Sequence, residues 1–262
     1  MSNNVRTKLE LLENGPSMPR KQSKKRKRLK KAESEQKPEI KIIDEIEQVP
    51  IEEHKIIFKP NEGPQTEFLA ASEREVLYGG SAGGGKSYAM LADPLRYMGH
   101  PSFSGLLLRH TTEELRELIF KSKELYPQIW KGIKWSERKM QWEAPSGARL
   151  WMSYLDRDDD VLRYQGLAFS WIGFDELTQW ATPYAWNYMR SRLRSTASDL
   201  PVYMRATTNP GGPGHQWVKK MFIDPAPYNK AFDATNIETG KVLVYPENHS
   251  KAGQSLFKRR FI

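Results

Sequence analysis

Two clusters of residues in this chain carry the types and spacing needed for phosphate chemistry. The first is Gly79, Gly80, Ser81, Ala82, Gly83, Gly84, Gly85, Lys86 and Ser87, which from Gly80 onward reads G-x-x-x-x-G-K-S. This is the phosphate-binding loop pattern, and the apolar Val76, Leu77 and Tyr78 before it and Tyr88, Ala89, Met90 and Leu91 after it supply the strand and helix it requires. With so many glycines, successive N–H groups can turn inward around a polyphosphate at a helix N-terminus. Lys86 would then reach the β- and γ-phosphates as a point charge, and the Ser87 hydroxyl would be a magnesium ligand. The second cluster is Asp175 and Glu176, which end the apolar run 170–174. Asp175 is expected to hold magnesium through its water shell, and Glu176 to orient and deprotonate an attacking water. Together they predict hydrolysis of ATP with Mg2+ as cofactor.

These groups must be brought together by strands whose carboxyl ends share one crevice, as in open α/β sheets. A strand is expected over 105–109, with Arg109 at its end, and another over 201–206, running into Thr207, Thr208, Asn209, Pro210, Gly211 and Gly212. Thr208 and Asn209 would face the crevice and sense the γ-phosphate or hold the water. A helix is expected from residue 112, with Thr112 as N-cap and Glu113 and Glu114 in its first turn. The segments 139–143 and 149–154 alternate around Pro145, Ser146 and Gly147 and read as a hairpin, with their tryptophans in the core. Asp156, Asp158, Asp159 and Asp160 read as a solvated loop, since no calcium-loop glycine or glutamate accompanies them. Gln65, in a short helix before the first strand, stands where many ATP motors place a glutamine on the adenine edge. The fold class expected is α/β, a mostly parallel central sheet flanked by helices.

Composition bounds the rest. The net charge of +9 is uneven: residues 1–40 carry 12 Lys/Arg and 5 Glu, leaving only +2 for the remainder. Residues 1–48 therefore read as a basic, disordered arm, suited to DNA-backbone contact or to solubility. The chain has no cysteine, which excludes disulfides and thiolate metal sites. No stretch is apolar enough for a membrane span or a secretory signal, so a soluble, non-exported protein is expected.

Beyond these residues, the stretch 207–219, with Thr208, Asn209, Pro210, Gly211, Gly212, Gly214, His215, Trp217, Val218 and Lys219, joins the phosphate loop and Phe174-Asp175-Glu176 in a combination that resembles the ATPase domain of tailed-bacteriophage terminase large subunits. The resemblance covers roughly residues 55–225. It implies a P-loop NTPase of the additional-strand, catalytic-glutamate class, with the sensing strand between the phosphate-loop and acidic-pair strands. It also implies a homo-oligomeric ring on a portal protein, working with a terminase small subunit in the host cytoplasm to move double-stranded DNA into a procapsid. Carried onto this sequence, Lys86 and residues Gly80, Ser81, Ala82, Gly83, Gly84, Gly85 and Ser87 bind nucleotide, Ser87 and Asp175 the metal, Glu176 is the catalytic base, and Asn209 couples hydrolysis to movement. The family's arginine finger has no motif here; Arg109 and Arg163 are the candidates. Residues 49–225 are then the ATPase domain and 226–262 a connector towards a nuclease domain, so ATPase but no DNA cutting is expected of these residues. A helicase or DNA-repair ATPase, or a DNA-binding scaffold with a vestigial nucleotide site, shares parts of the pattern.

Overall fold

The computed structural model describes residues 56–262, so the basic arm expected over 1–48 lies outside the described residues. In chain order the elements are α1 (Pro64–Ala70), β1 (Glu75–Gly79), α2 (Lys86–Ala92), β2 (Ser104–Arg109), α3 (Thr112–Ile129), β3 (Lys134–Ser136), β4 (Gln141–Glu143), β5 (Arg149–Tyr154), β6 (Trp171–Phe174), α4 (Tyr184–Arg190), β7 (Tyr203–Thr208), α5 (His215–Val218), β8 (Phe232–Asp233) and β9 (Lys258–Phe261). No helix among them is long and apolar enough to cross a membrane.

The strands form one sheet in the order β3-β4-β5-β2-β6-β7-β1-β9-β8. From β5 to β9 every neighbouring pair is parallel, and antiparallel pairing is confined to the two edges. β7 lies between β6 and β1, which is the additional-strand arrangement.

The central strands read as continuous apolar runs because both faces of the sheet are covered. Val76, Tyr78, Leu107, Trp171 and Tyr203 belong to one buried cluster with Phe68 of α1, Met90 of α2 and Leu115 of α3. Their strand neighbours Leu77, Leu106, Leu108, Ile172, Phe174 and Met204 belong to the other, with Trp186 of α4 and Val218 of α5. The two-residue alternation of a strand thus divides one apolar run between two cores.

α3 starts one residue earlier than Thr112 would give. Thr111 is the N-cap, in extended backbone, because its hydroxyl accepts from the Glu114 N–H (3.3 Å) while the Glu114 carboxylate accepts from the Thr111 N–H (3.4 Å), a reciprocal capping box. The expected hairpin is β4 and β5, and β3 adds a further antiparallel strand outside it.

The sheet does not stop at residue 225. β9 runs parallel to β1, and the Gly79 N–H donates to the Ile262 carbonyl (2.8 Å). A Cβ built on Gly79 would stand 2.6 Å from the Phe261 ring, so this close approach needs glycine. A strand that reads Lys-Arg-Arg-Phe enters the sheet because Glu75, buried at the start of β1, lies 2.5 Å from Arg259 and 2.5 Å from Arg190 of α4. Burial alone would raise the Glu75 carboxyl; the Arg259 and Arg190 charges more than offset it and hold the group below its ordinary value.

Candidate nucleotide-binding site

The carboxyl ends of β1, β2, β6 and β7 all point to one edge of the sheet because the strands are parallel. They deliver Gly79, Arg109, Asp175 and Asn209 to one place. There lies a cleft of about 390 Å³ lined by Ala82, Gly83, Gly84, Gly85, Lys86, Ser87, Arg109, Glu176 and Asn209.

The loop between β1 and α2 takes a path that side chains would resist, with φ of 87° at Gly83 and 73° at Gly85. Two side chains brace it from behind. The Tyr78 hydroxyl donates to the Gly84 carbonyl (2.6 Å), and the Gln65 amide nitrogen donates to the Gly85 carbonyl (2.8 Å). Lys86 folds back over the loop and donates to the carbonyls of Gly80 (3.1 Å) and Ser81 (2.7 Å).

The acidic pair is divided between two tasks. Asp175 is fully buried, and one of its oxygens accepts from the Thr207 hydroxyl. The other, Oδ2, lies 3.5 Å from the Ser87 hydroxyl and 3.0 Å from Arg109 Nε. The chain then turns sharply, with Glu176 in the left-handed region (φ 61°, ψ 56°) and its N–H donating to Thr207 Oγ1 (3.2 Å). That turn aims the Glu176 carboxylate at Asn209, which donates to it twice, from its backbone N–H (3.0 Å) and its amide nitrogen (2.8 Å). Burial first, and then the neighbouring Asp175 charge, push the Glu176 carboxyl above its ordinary value; the Asn209 N–H, Arg109 and Lys86 only partly oppose this. A glutamate held this way is a stronger proton acceptor than one in water.

Most residues expected at the site meet in this cleft, and several are placed differently from the expectation. Gln65 is buried, with Nε2 donating to the Gly85 carbonyl and Oε1 accepting from the Asn61 N–H (2.6 Å), so it braces the loop. Thr208 turns away from the cleft and bonds the Thr178 hydroxyl (2.8 Å). Arg109 lines the cleft, whereas Arg163 pairs with Asp160 (2.5 Å) on the 3₁₀ turn Asp158–Tyr164, outside it. Asp160 itself accepts from the N–H groups of Asp156 and Arg157, which closes that turn. Thr207, which holds both members of the acidic pair, has no motif of its own; the β6–β7 register, with Phe174 opposite Ala206, is the signal that puts it beside Asp175.

The donor set suits magnesium. The Ser87 hydroxyl and Asp175 Oδ2 are hard oxygen donors 3.5 Å apart, and the Asn209 side-chain carbonyl is buried without a hydrogen-bond partner.

Among solved structures, the chain is similar to the large terminase ATPase domain of Thermus phage P74-26, at 13% identity and a TM-score of 0.45, over 63% of this chain and 70% of that one. It is also similar to the large terminase of a thermophilic bacteriophage, at 19% identity and a TM-score of 0.49, over 63% of this chain but only 42% of that one. A third likeness is to the N-terminal domain of the DNA packaging ATPase from bacteriophage phi29, at 15% identity and a TM-score of 0.46, over 63% of this chain and 87% of that one. No curated protein matches the sequence. The sequence family described as phage terminase large subunit matches residues 72–248, a span holding the phosphate loop, the acidic pair and Asn209. The chain belongs to the phage terminase large subunit family.

Proposed function

We propose that this chain hydrolyses ATP with Glu176 as general base and couples the hydrolysis to translocation of double-stranded DNA into a procapsid. The observation that carries the reading is the shared cleft: the Glu176 carboxylate lines the same 390 Å³ space as Lys86 and the glycine loop, held there by two donors from Asn209.

In this reading the N–H groups of residues 80–87 cradle the phosphates, and Lys86 exchanges its two loop carbonyls for phosphate oxygens. Ser87 and Asp175 would hold the magnesium ion, which when bound neutralises phosphate charge. Glu176 accepts a proton from the attacking water, in a pose fixed by Asn209. Because Asn209 also lies at the end of β7, movement of the sensing strand and orientation of the base are tied together. The portal protein and small subunit as partners, a ring of copies, and work in the host cytoplasm follow from the family. Contact of the basic arm with the DNA backbone follows from its charge.

The test is Glu176→Gln. ATP binding is expected to survive while turnover falls by about 10²–10⁴-fold, the usual contribution of a positioned base. Equal turnover by variant and parent would reject Glu176 as the base. DNA added with emptied capsids is expected to raise turnover of the parent protein, and no response would reject the coupling.

A further inference from the structure

Arg109 and the Ser87 hydroxyl face the same oxygen of Asp175. Asp175 Oδ1 is taken by the Thr207 hydroxyl, so Oδ2 is the oxygen that faces the Ser87 hydroxyl, 3.5 Å away. Arg109 Nε stands 3.0 Å from that same Oδ2, and its side chain is only 9% exposed against 0% for Asp175. A fully buried carboxylate needs a counter-charge, and Arg109 supplies it. The contact lacks hydrogen-bond alignment, since Arg109 Nε is buried without a hydrogen-bond partner, so it is held by charge and packing and not by a directional bond. Arg109 also lines the cleft, so a displaced guanidinium has open space on the side of the phosphate loop.

We infer that Arg109 is the resident counter-ion of Asp175 in the nucleotide-free protein, so that loading the magnesium–nucleotide complex is an exchange of cations on Asp175 Oδ2 and releases the Arg109 guanidinium to the phosphates. A hydrated magnesium ion whose water shell bonds Oδ2 competes there with the guanidinium 3.0 Å away, and the two positive charges repel each other. Metal arrival therefore costs the Arg109–Asp175 pair, and the freed arginine recovers a partner only when phosphate is present. A metal without nucleotide binds poorly, which ties the two halves of the ligand together. The inference rests on the nucleotide-site reading above and gives Arg109 two successive partners, Asp175 before loading and the phosphates after it.

The experiment uses the whole chain with Glu176→Gln as background, so that ATP is not consumed. Mg2+ is titrated alone, and in the presence of saturating ADP or ATP, by calorimetry and by the shift in thermal midpoint. Arg109→Gln is expected to tighten Mg2+ binding in the absence of nucleotide by at least about tenfold, the scale of removing one unit charge at short range. It is also expected to weaken ATP binding relative to ADP, and Arg109→Lys to lie between parent and Arg109→Gln. A merely structural arginine would weaken both ligands together. Unchanged or weaker Mg2+ binding in both variants, with ATP still bound, overturns the exchange and leaves the nucleotide site intact. Loss of all nucleotide binding in the Glu176→Gln background overturns the site reading itself. Should Arg109→Gln fail to fold, Arg109→Lys alone decides, because it keeps a charge but loses the guanidinium's reach: an unshifted Mg2+ midpoint then rejects the proposal.

Discussion

Glu176 carries the largest consequence of any single residue. Its carboxyl is raised by burial and by Asp175, so the acid limb of the pH–rate profile is expected above the ordinary glutamate value of about 4.3. As the proposed general base Glu176 would work only when ionised, so activity is expected to fall as pH drops through the raised value. Asn209→Ala removes the amide donor 2.8 Å from Glu176 and keeps the backbone N–H, which disfavours the charged form further. The limb should therefore move to higher pH, and turnover at neutral pH should fall about tenfold or more; an unmoved limb would mean that Asn209 does not tune the base. At this scale the sequence is most readable, because the loop, the acidic pair and Asn209 are each set by local order along the chain. Arg109 is harder to read. Its partner Asp175 is 66 positions away and meets it only because β2 and β6 are neighbours in the sheet.

Among the elements, β1 and β9 depend on each other. The Gly79 hydrogen sits where a methyl group would be 2.6 Å from the Phe261 ring. Gly79→Ala should then destabilise the fold by about 1–3 kcal/mol through overpacking. Adding Phe261→Leu should recover part of that loss, and denaturant midpoints of the two single variants and the double variant measure it; strict additivity would show that the two positions do not press on each other. β9 also marks where reading by pattern fails. Lys258, Arg259 and Arg260 look like a surface run, and the buried acids Glu75 and Glu73, far away in sequence, make a strand of them by pairing with Arg259 and Arg260. β3, three residues long and without apolar alternation, fails for a different reason: it exists because β4 offers it an edge. The long parallel strands, by contrast, are visible as apolar runs closed by polar ends.

For the whole molecule, the two cores on either side of the sheet are joined at its other end by buried charge. Glu75 faces Arg190 of α4 and Arg259 of β9, which ties a strand, a helix and the C-terminal strand at one point. Its folded carboxyl lies below the unfolded value, so its stabilising effect is present above about pH 4.3 and is lost as pH falls through the folded value. Glu75→Gln leaves the buried Arg259 and the partly buried Arg190 without their counter-charge and should cost about 3–5 kcal/mol, with a flatter dependence of stability on acid pH. Chemical unfolding followed across pH checks both; a variant as stable as the parent would remove the network from any role in holding the sheet.

The left-handed turn at Glu176 has an outcome for laboratory evolution. An L-residue with a long side chain adopts that torsion at a penalty, whereas glycine and asparagine adopt it readily. A library screened for heat resistance alone, with no demand on the motor, should therefore drift toward Gly or Asn at this position and yield hardy, inert proteins. Retention of glutamate under such a regime would point to a packing duty in addition to proton transfer.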